Sequence, residues 1–212
     1  MDKIKFSLFD IFVYTIPGIV IMFGIYLLPV ELKPGMESFI KSFGKLMAVQ
    51  NLNTITLAIL VAYLIGFTLH YFGYRYFYFI TSRFWKKRFA DKLKNKPHSE
   101  AKYVLVRHQS KDNFAYIDQW NTYRGMSFNL SLSFLIVGLQ LSLMLILQGV
   151  FRMDWILLIA VLFLMSFITF KRSVIFHFWS LSTLEETFAM LNQSQEQPQE
   201  EPQKVLETDD QI

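Results

Sequence analysis

Few side chains in this 212-residue chain could do chemistry, and one of them lies inside a long apolar stretch. His70 stands within the run 55–80, where ionisable side chains are functional candidates by default. An imidazole in such a run could gate a conformational change, sense pH or relay a proton. The alternative interpretation is a neutral histidine that hydrogen-bonds to a neighbouring helix or a lipid headgroup, since Tyr71, Tyr74 and Arg75 follow closely.

Arg172 and His177 form the second candidate site. Metal-free RNases of the HEPN class carry an Arg and a His at a similar spacing on one helix, and dimerisation completes their site. A chance match is the competing explanation for this pair. We find no glycine-rich phosphate loop, HExxH motif or Gly-x-Ser-x-Gly motif. The sequence therefore predicts no enzymatic activity, no metal site and no cofactor, with a membrane-tethered HEPN-like RNase kept as a third hypothesis.

The composition indicates a membrane protein. Hydrophobic residues make up 53% of the chain and charged residues 18%, against about a quarter in soluble domains. The chain has no cysteine, which excludes disulfides, thiolate metal sites and a cysteine nucleophile. Four apolar segments approach the roughly 20 helical residues that cross a bilayer. We predict an all-α, integral membrane four-helix protein with helical cytoplasmic extensions of spans 2, 3 and 4.

The predicted division of the chain follows from the apolar runs and from what separates them. Its parts are a cytoplasmic N-terminus with span 1 (1–30), an external loop (31–53), span 2 (54–80), a basic cytoplasmic helical segment (81–125), span 3 (126–151), an external turn (152–154), span 4 (155–171), an amphipathic cytoplasmic helix (172–192) and a disordered acidic tail (193–212). The tail is read as disordered because its Gln, Glu, Pro and Ser residues cannot bury enough apolar surface.

The distribution of basic residues predicts the orientation. Eleven of the 21 Lys and Arg residues fall between Arg83 and Arg124, whereas the loop 31–53 and the turn at Arg152 hold four together. Cytoplasmic loops of membrane proteins carry the excess of Lys and Arg. We therefore expect a multi-pass protein of the bacterial inner membrane with both termini in the cytoplasm.

The basic segment is also the predicted partner- or lipid-binding surface. Its candidate residues are Arg83, Trp85, Lys86, Lys87, Arg88, Lys92, Trp120 and Arg124. Three interpretations of these charges remain open, and they do not exclude one another. The charges could orient the chain and attract anionic lipid headgroups, contact RNA through interleaved aromatics, or dock an acidic or RNA-bound partner such as an RNA-guided nuclease.

Polar residues inside the apolar runs have two interpretations. Asn129, Ser133 and Gln140 share a face of span 3, and with His70 they could line the water-filled lumen of a homo-oligomer. The alternative is close helix packing with hydrogen bonds between helices. Pro17-Gly18 interrupts span 1 and is predicted to act as a hinge or as a static bend.

Three strings carry a family resemblance. They are Ser7-Leu-Phe-Asp-Ile-Phe-Val-Tyr-Thr-Ile-Pro-Gly18, Ala62-Tyr-Leu-Ile-Gly-Phe67 and Tyr123-Arg-Gly-Met-Ser-Phe-Asn-Leu-Ser-Leu-Ser133. They resemble small four-span membrane proteins of bacterial antiviral defence loci, in particular the accessory proteins encoded beside the RNA-targeting effector of type VI-B CRISPR systems. The resemblance implies modulation of RNA-guided interference or an effect on membrane permeability, and it carries over no catalytic residue. An oligomeric channel or transporter-like protein unrelated to defence is the alternative function.

Overall fold

The computed structural model describes residues 8–84 and 99–196. These residues form six helices. The helices are α1 (Leu8–Leu27), α2 (Met36–Ala48), α3 (Leu52–Phe84), α4 (Ser99–Gln109), α5 (Lys111–Gln148) and α6 (Met153–Glu196). Within these ranges there is no β-strand, so the all-α class predicted from the sequence is confirmed.

Three of these helices are long and apolar enough to cross a membrane. They are α3, α5 and α6, with 33, 38 and 44 residues. At about 1.5 Å per residue they measure roughly 50, 57 and 66 Å, well beyond the ~30 Å hydrocarbon core. The apolar part of α1 is shorter, Ile11–Leu27. A multi-pass membrane protein is therefore the class that the structure supports.

Several helix boundaries differ from the sequence-based expectation. α1 ends at Leu27, before the predicted limit at residue 30, because the chain turns at residues 28–29. The segments predicted as span 4 and a following amphipathic helix form one helix, α6. α5 likewise runs without a break through the predicted start of span 3 at residue 126. α6 also includes residues 193–196, which were predicted to belong to the disordered tail. The rest of that tail, 197–212, and the part of the predicted basic helical segment at 85–98 lie outside the described residues.

Glycines bring α1 and α3 into backbone contact. A Cβ added to Gly18 would lie 1.7 Å from the carbonyl oxygen of Ala62, and one added to Gly66 would lie 1.8 Å from that of Tyr14. Tyr14 and Gly18 of α1 are four residues apart, and so are Ala62 and Gly66 of α3, which they contact. This is the small-residue packing common between membrane helices. Pro17 lies inside α1, which continues through it. Gly18 therefore has a packing role, besides any role in bending the helix.

One end of the bundle is closed by α2 and two loops. Trp155 is fully buried there, and its indole Nε1–H donates to the carbonyl oxygen of Leu32 at 3.0 Å. Asp154 accepts a 2.9 Å hydrogen bond from the backbone N–H of Met36, the first residue of α2. The rings of Phe39 and Phe43 pack against Phe23 of α1. We call this the loop end.

The opposite end, here the basic end, holds the short helix α4. Val106 of α4, Ile117 of α5 and Leu184 of α6 form a small buried cluster. Lys102 adds a 3.0 Å ion pair with Glu185 and lies 4.8 Å from the centroid of the Phe188 ring. These contacts fix α4 on the parts of α5 and α6 that extend past the apolar runs.

Candidate functional site

A row of buried polar side chains along α5 is the candidate functional site. Asn129, Ser131 and Ser133 are each 0% exposed, although they belong to a helix apolar enough to span a bilayer. Buried polar groups need hydrogen-bond partners, and inside a membrane those partners must come from neighbouring helices. The partners come from α1, α3 and α6. We use the name polar seam for the polar residues along α5 together with these partners on the other three helices.

Toward the loop end, the polar seam joins α5 to α1. The Ser133 hydroxyl donates to the carbonyl oxygen of Pro17 at 3.1 Å and to that of Asn129 at 2.9 Å. The Gln140 amide Nε2 donates to the carbonyl oxygen of Gly24 at 2.6 Å. A Cβ on Gly24 would lie 2.8 Å from the Val137 side chain, so glycine permits this close approach. In the single chain both polar side chains therefore serve helix packing.

His70 lies where α1, α3 and α5 meet. The Asn129 amide nitrogen Nδ2 stands 3.1 Å from His70 Nδ1, which makes Nδ1 the acceptor and places the proton of the neutral ring on Nε2. The ring also packs edge-on to Tyr14, with centroids 5.5 Å apart, and against Phe128 at 5.2 Å. A Cβ on Gly73 would lie 2.4 Å from Asn129 Oδ1, so glycine at position 73 leaves room for the amide.

A reciprocal serine pair joins α5 to α6. The Ser131 hydroxyl donates to the carbonyl oxygen of Ser166 at 2.8 Å, and the Ser166 hydroxyl donates to that of Ser131 at 2.9 Å. The Tyr76 hydroxyl of α3 lies 3.3 Å from Ser131 Oγ and brings a third helix to the same point. Serine side chains are short, so the two helix backbones can approach closely, and each hydroxyl has a hydrogen-bond acceptor on the other helix.

Arg124 and His177 form the charged part of the polar seam, toward the basic end. Arg124 Nη1 lies 2.7 Å from His177 Nδ1. A guanidinium has only donors, so Nδ1 must accept and the ring is neutral in this arrangement. No described carboxylate lies within ion-pair distance of Arg124, and its buried Nε has no hydrogen-bond partner among the described residues. Arg124 is thus a partly buried cation whose identified partner is a neutral ring.

Two further buried side-chain atoms of the bundle lack a hydrogen-bond partner among the described residues. They are Asn129 Oδ1 in the polar seam and Thr15 Oγ1 of α1. Unsatisfied buried polar atoms cost about 1–3 kcal/mol each unless water or a rearrangement satisfies them. The middle of the polar seam is therefore the place in the bundle where a bound water or a change of helix packing would be favourable.

An aromatic cluster lies beside Arg124 on the outer face of α5 and α6. Trp120 stacks on Phe176 with ring centroids 5.9 Å apart, and Trp179 meets Trp120 edge-on at 4.9 Å. The Arg172 guanidinium carbon lies 5.5 Å from the centroid of the Phe176 ring. Trp residues beside basic residues are typical of the membrane–water interface. This cluster marks where the apolar parts of α5 and α6 end.

The loop end holds one perturbed carboxyl group. Asp154 accepts hydrogen bonds from the backbone N–H groups of Met36 and Trp155 and pairs with Arg152 at 3.3 Å. The Met36 N–H contributes most, and together these donors hold the pKa of the Asp154 carboxyl below its ordinary 3.8.

At the basic end, the pKa of the Tyr103 hydroxyl is raised. Burial is the larger cause, and the nearby charge of Asp118 is the second.

The site residues chosen from the sequence fall in three places. His70, Asn129, Ser133 and Gln140 all lie in the polar seam, as does Arg124. Arg83 is exposed in the last turn of α3, and Trp120 lies in the aromatic cluster. The remaining candidates lie outside the described residues. They are Trp85, Lys86, Lys87, Arg88 and Lys92.

The α6 half of the polar seam was missed in the sequence, although a signal for it exists. Ser166, Ser173, Ser180 and Thr187 recur every seven residues, and all four are buried. A seven-residue repeat keeps one helix face against a single neighbour. The neighbour is α5, where Ser180 Oγ donates to Asn121 Oδ1 at 3.0 Å.

Three comparisons with known proteins found no match to this chain. Neither protein-family models, nor curated proteins, nor solved structures match this chain.

Proposed function

We propose that this chain is a non-enzymatic, multi-pass accessory or effector protein of the bacterial inner membrane. It acts in antiviral defence by modulating RNA-guided interference or membrane permeability. The observation that carries the proposal is the mutual contact of the three strings that resemble type VI-B CRISPR accessory proteins. These strings are far apart in the sequence but meet through the Gly18–Ala62 and Gly66–Tyr14 contacts and through the Ser133–Pro17 hydrogen bond, which joins residues 116 positions apart.

Four membrane spans are part of this proposal. α1 packs against both α3 and α5, each long enough to cross the bilayer. Its apolar stretch of 17 residues covers roughly 26 Å at about 1.5 Å per residue, close to the hydrocarbon thickness. Because the apolar stretch of α1 nearly matches the hydrocarbon thickness and packs against two spanning helices, we propose that α1 also crosses the membrane. The excess of Lys and Arg between Arg83 and Arg124 favours a cytoplasmic position for the basic end and, with it, for both termini.

The basic end is the proposed contact surface for a partner. Arg83, Arg107 and Lys111 are exposed on the ends of α3, α4 and α5. An RNA strand or an RNA-bound nuclease presents the negative charge that such a surface attracts. The partner is therefore an RNA-guided nuclease or its RNA, together with anionic lipid headgroups.

The proposal is tested in cells that carry a type VI-B effector and a guide against an RNA target. The efficiency of plating of a phage with that target is compared with and without this chain. The account expects a change of tenfold or more that disappears when the guide does not match. A change that persists without the effector would favour the alternative function, a homo-oligomeric channel or transporter-like protein. That alternative is favoured by the unsatisfied Asn129 Oδ1 and Thr15 Oγ1 in the bundle interior.

The membrane-tethered RNase hypothesis draws less support from the geometry. His177 is 8% exposed and faces Arg124, whereas Arg172 is exposed and lies over the Phe176 ring. The two residues are five apart, which separates them by about 140° around a helix. Loss of target-RNA cleavage by the purified chain in His177→Ala, with unchanged expression, would be the result that revives it.

A further inference from the structure

An apolar groove runs along the outside of the bundle between α3 and α6. It encloses about 380 Å³ and is lined by Tyr76, Ile80, Phe84, Leu135, Phe163, Ser166, Phe167 and Phe170. Its two polar side chains are already engaged, because the Tyr76 hydroxyl and the Ser166 hydroxyl both bond to Ser131. The groove therefore offers an occupant an apolar surface.

The shape and position of the groove suit a hydrocarbon chain. Its α3 wall carries residues 76, 80 and 84, which follow one helix face over about 12 Å. Its α6 wall carries the corresponding run from Phe163 to Phe170. Phe84 is 75% exposed and Phe167 is 63% exposed, on helices long and apolar enough to span a membrane. In a bilayer such a surface faces acyl chains rather than water.

Positive charge flanks the groove at its basic end. Arg83 precedes Phe84 on α3, Lys171 follows Phe170 on α6, and both basic residues are exposed. The described α3 helix contains no Asp or Glu, and α6 contains none between Trp155 and Leu184. The charge beside the groove is therefore complementary to a phosphate and is not neutralised by these two helices.

We propose that the groove binds one acyl chain of an anionic phospholipid, whose phosphate is held by Arg83 and Lys171. The site is a specific lipid site, distinct from the general contact that every spanning helix makes with the bilayer. It does not depend on a role in defence, so the proposed function and the lipid site can fail separately.

Native mass spectrometry of the full chain in mild detergent tests the site. Phosphatidylglycerol and phosphatidylcholine with identical acyl chains are titrated separately. We expect tighter binding of phosphatidylglycerol, and a loss of about fivefold in its affinity for each of Arg83→Gln and Lys171→Gln. Phosphatidylcholine carries the same phosphate beside its own choline cation, so its affinity should fall by less than that of phosphatidylglycerol in both variants, and millimolar inorganic phosphate should not displace the lipid.

Arg75→Gln is the matched charge control. Arg75 is exposed on the same helix, but it lies two turns of α3, about 12 Å, from Arg83 and the basic end of the groove, and it donates to the Tyr71 hydroxyl at 3.2 Å. Its replacement should leave both affinities unchanged. Equal affinity for the two lipids, or an equal loss in Arg75→Gln and Arg83→Gln, would overturn the proposal.

A second pair of variants tests the acyl-chain part of the site. Leu135→Trp adds bulk to the groove, whereas Leu139→Trp adds the same side chain one turn away, at a position that is 55% exposed. The first should abolish phosphatidylglycerol retention and the second should preserve it. Retention of the lipid by a folded Leu135→Trp, judged by helicity and a single size-exclusion peak, contradicts the proposal. If Leu135→Trp does not fold, the two charge variants decide the outcome alone.

Discussion

Arg124 Nη1 donates a 2.7 Å hydrogen bond to His177 Nδ1 and so connects α5 to α6 where their apolar parts end. Arg124 has no described carboxylate within ion-pair distance. The guanidinium therefore depends on a neutral imidazole to compensate part of its desolvation. Loss of this contact is expected to be costly, because one substitution at position 177 leaves the partly buried charge of Arg124 without its hydrogen-bond acceptor.

Replacing His177 is expected to destabilise the bundle. His177→Phe removes the acceptor of Arg124 and should lower the free energy of unfolding by about 1–3 kcal/mol. His177→Gln keeps an acceptor oxygen and should cost less. The measurement is unfolding of the full chain in mixed micelles, followed by far-UV circular dichroism. Arg172→Gln is the control, since an exposed substitution should stay within about 0.5 kcal/mol. Equal stability of His177→Phe and Arg172→Gln would show that the Arg124 contact contributes nothing.

The contact between α1 and α3 is expected to tolerate no side chain. Gly18→Ala places a Cβ against the backbone of Ala62, and backbone cannot move aside without separating the helices. We expect a loss of about 1–3 kcal/mol or more in the free energy of unfolding. Gly44→Ala is the matched control, because nothing lies within 4 Å of its added Cβ. In a helix interior that change should stabilise by up to about 1 kcal/mol. Unchanged stability in Gly18→Ala would refute the close approach of α1 and α3.

Stability of the loop end is expected to depend on Asp154. Its pKa lies below 3.8 in the folded chain, so its contribution is present above the pKa of the unfolded state and disappears as pH falls through the folded value. Asp154→Asn should therefore lower the thermal midpoint at pH 7, and the difference from the wild type should shrink below about pH 4. Glu37→Gln, which changes only an exposed ion pair with Lys41, should differ little at either pH. A constant difference across pH would exclude the ionised carboxylate as the cause.

Orientation in the membrane can be measured directly because the chain has no cysteine. Single-cysteine variants at Lys41, in α2, and at Lys111, at the start of α5, replace exposed residues. A membrane-impermeant maleimide should label position 41 on intact spheroplasts and position 111 only after lysis. The reversed pattern would invert the proposed topology, and labelling of both positions on intact spheroplasts would contradict the single crossing by α3 that is proposed between them.

Helices and their membrane character could be predicted from the sequence because both depend on local composition. The apolar runs predict the long helices, and the helical segment predicted at 81–125 includes the helix at Ser99–Gln109. Pairing between helices could not be predicted in the same way, since each apolar helix presents similar faces. The Arg124–His177 contact is an example, because nothing local to Arg124 identifies a partner 53 positions away.

The candidate site was predictable in its residues and not in its arrangement. Asn129, Ser133 and Gln140 stand out in the sequence because polar side chains are rare within apolar runs. Whether they face a lumen or a neighbouring helix depends on their distance from α1. In the structure that distance is short at Gln140, because Gly24 of α1 permits close contact with α5. Glycines inside an apolar helix are therefore the sequence signal that favours packing at these positions.

The most direct test of the proposed function is the efficiency of plating of a targeted phage on cells that carry the RNA-guided effector. Wild-type chain is compared with Gly66→Val, which obstructs the meeting point of the three resembling strings, and with Gly44→Val, which meets open space. All three must be present in the membrane at equal amounts. The account predicts that wild type and Gly44→Val change plating by tenfold or more and that Gly66→Val does not. Plating that is the same with and without the wild-type chain would contradict it.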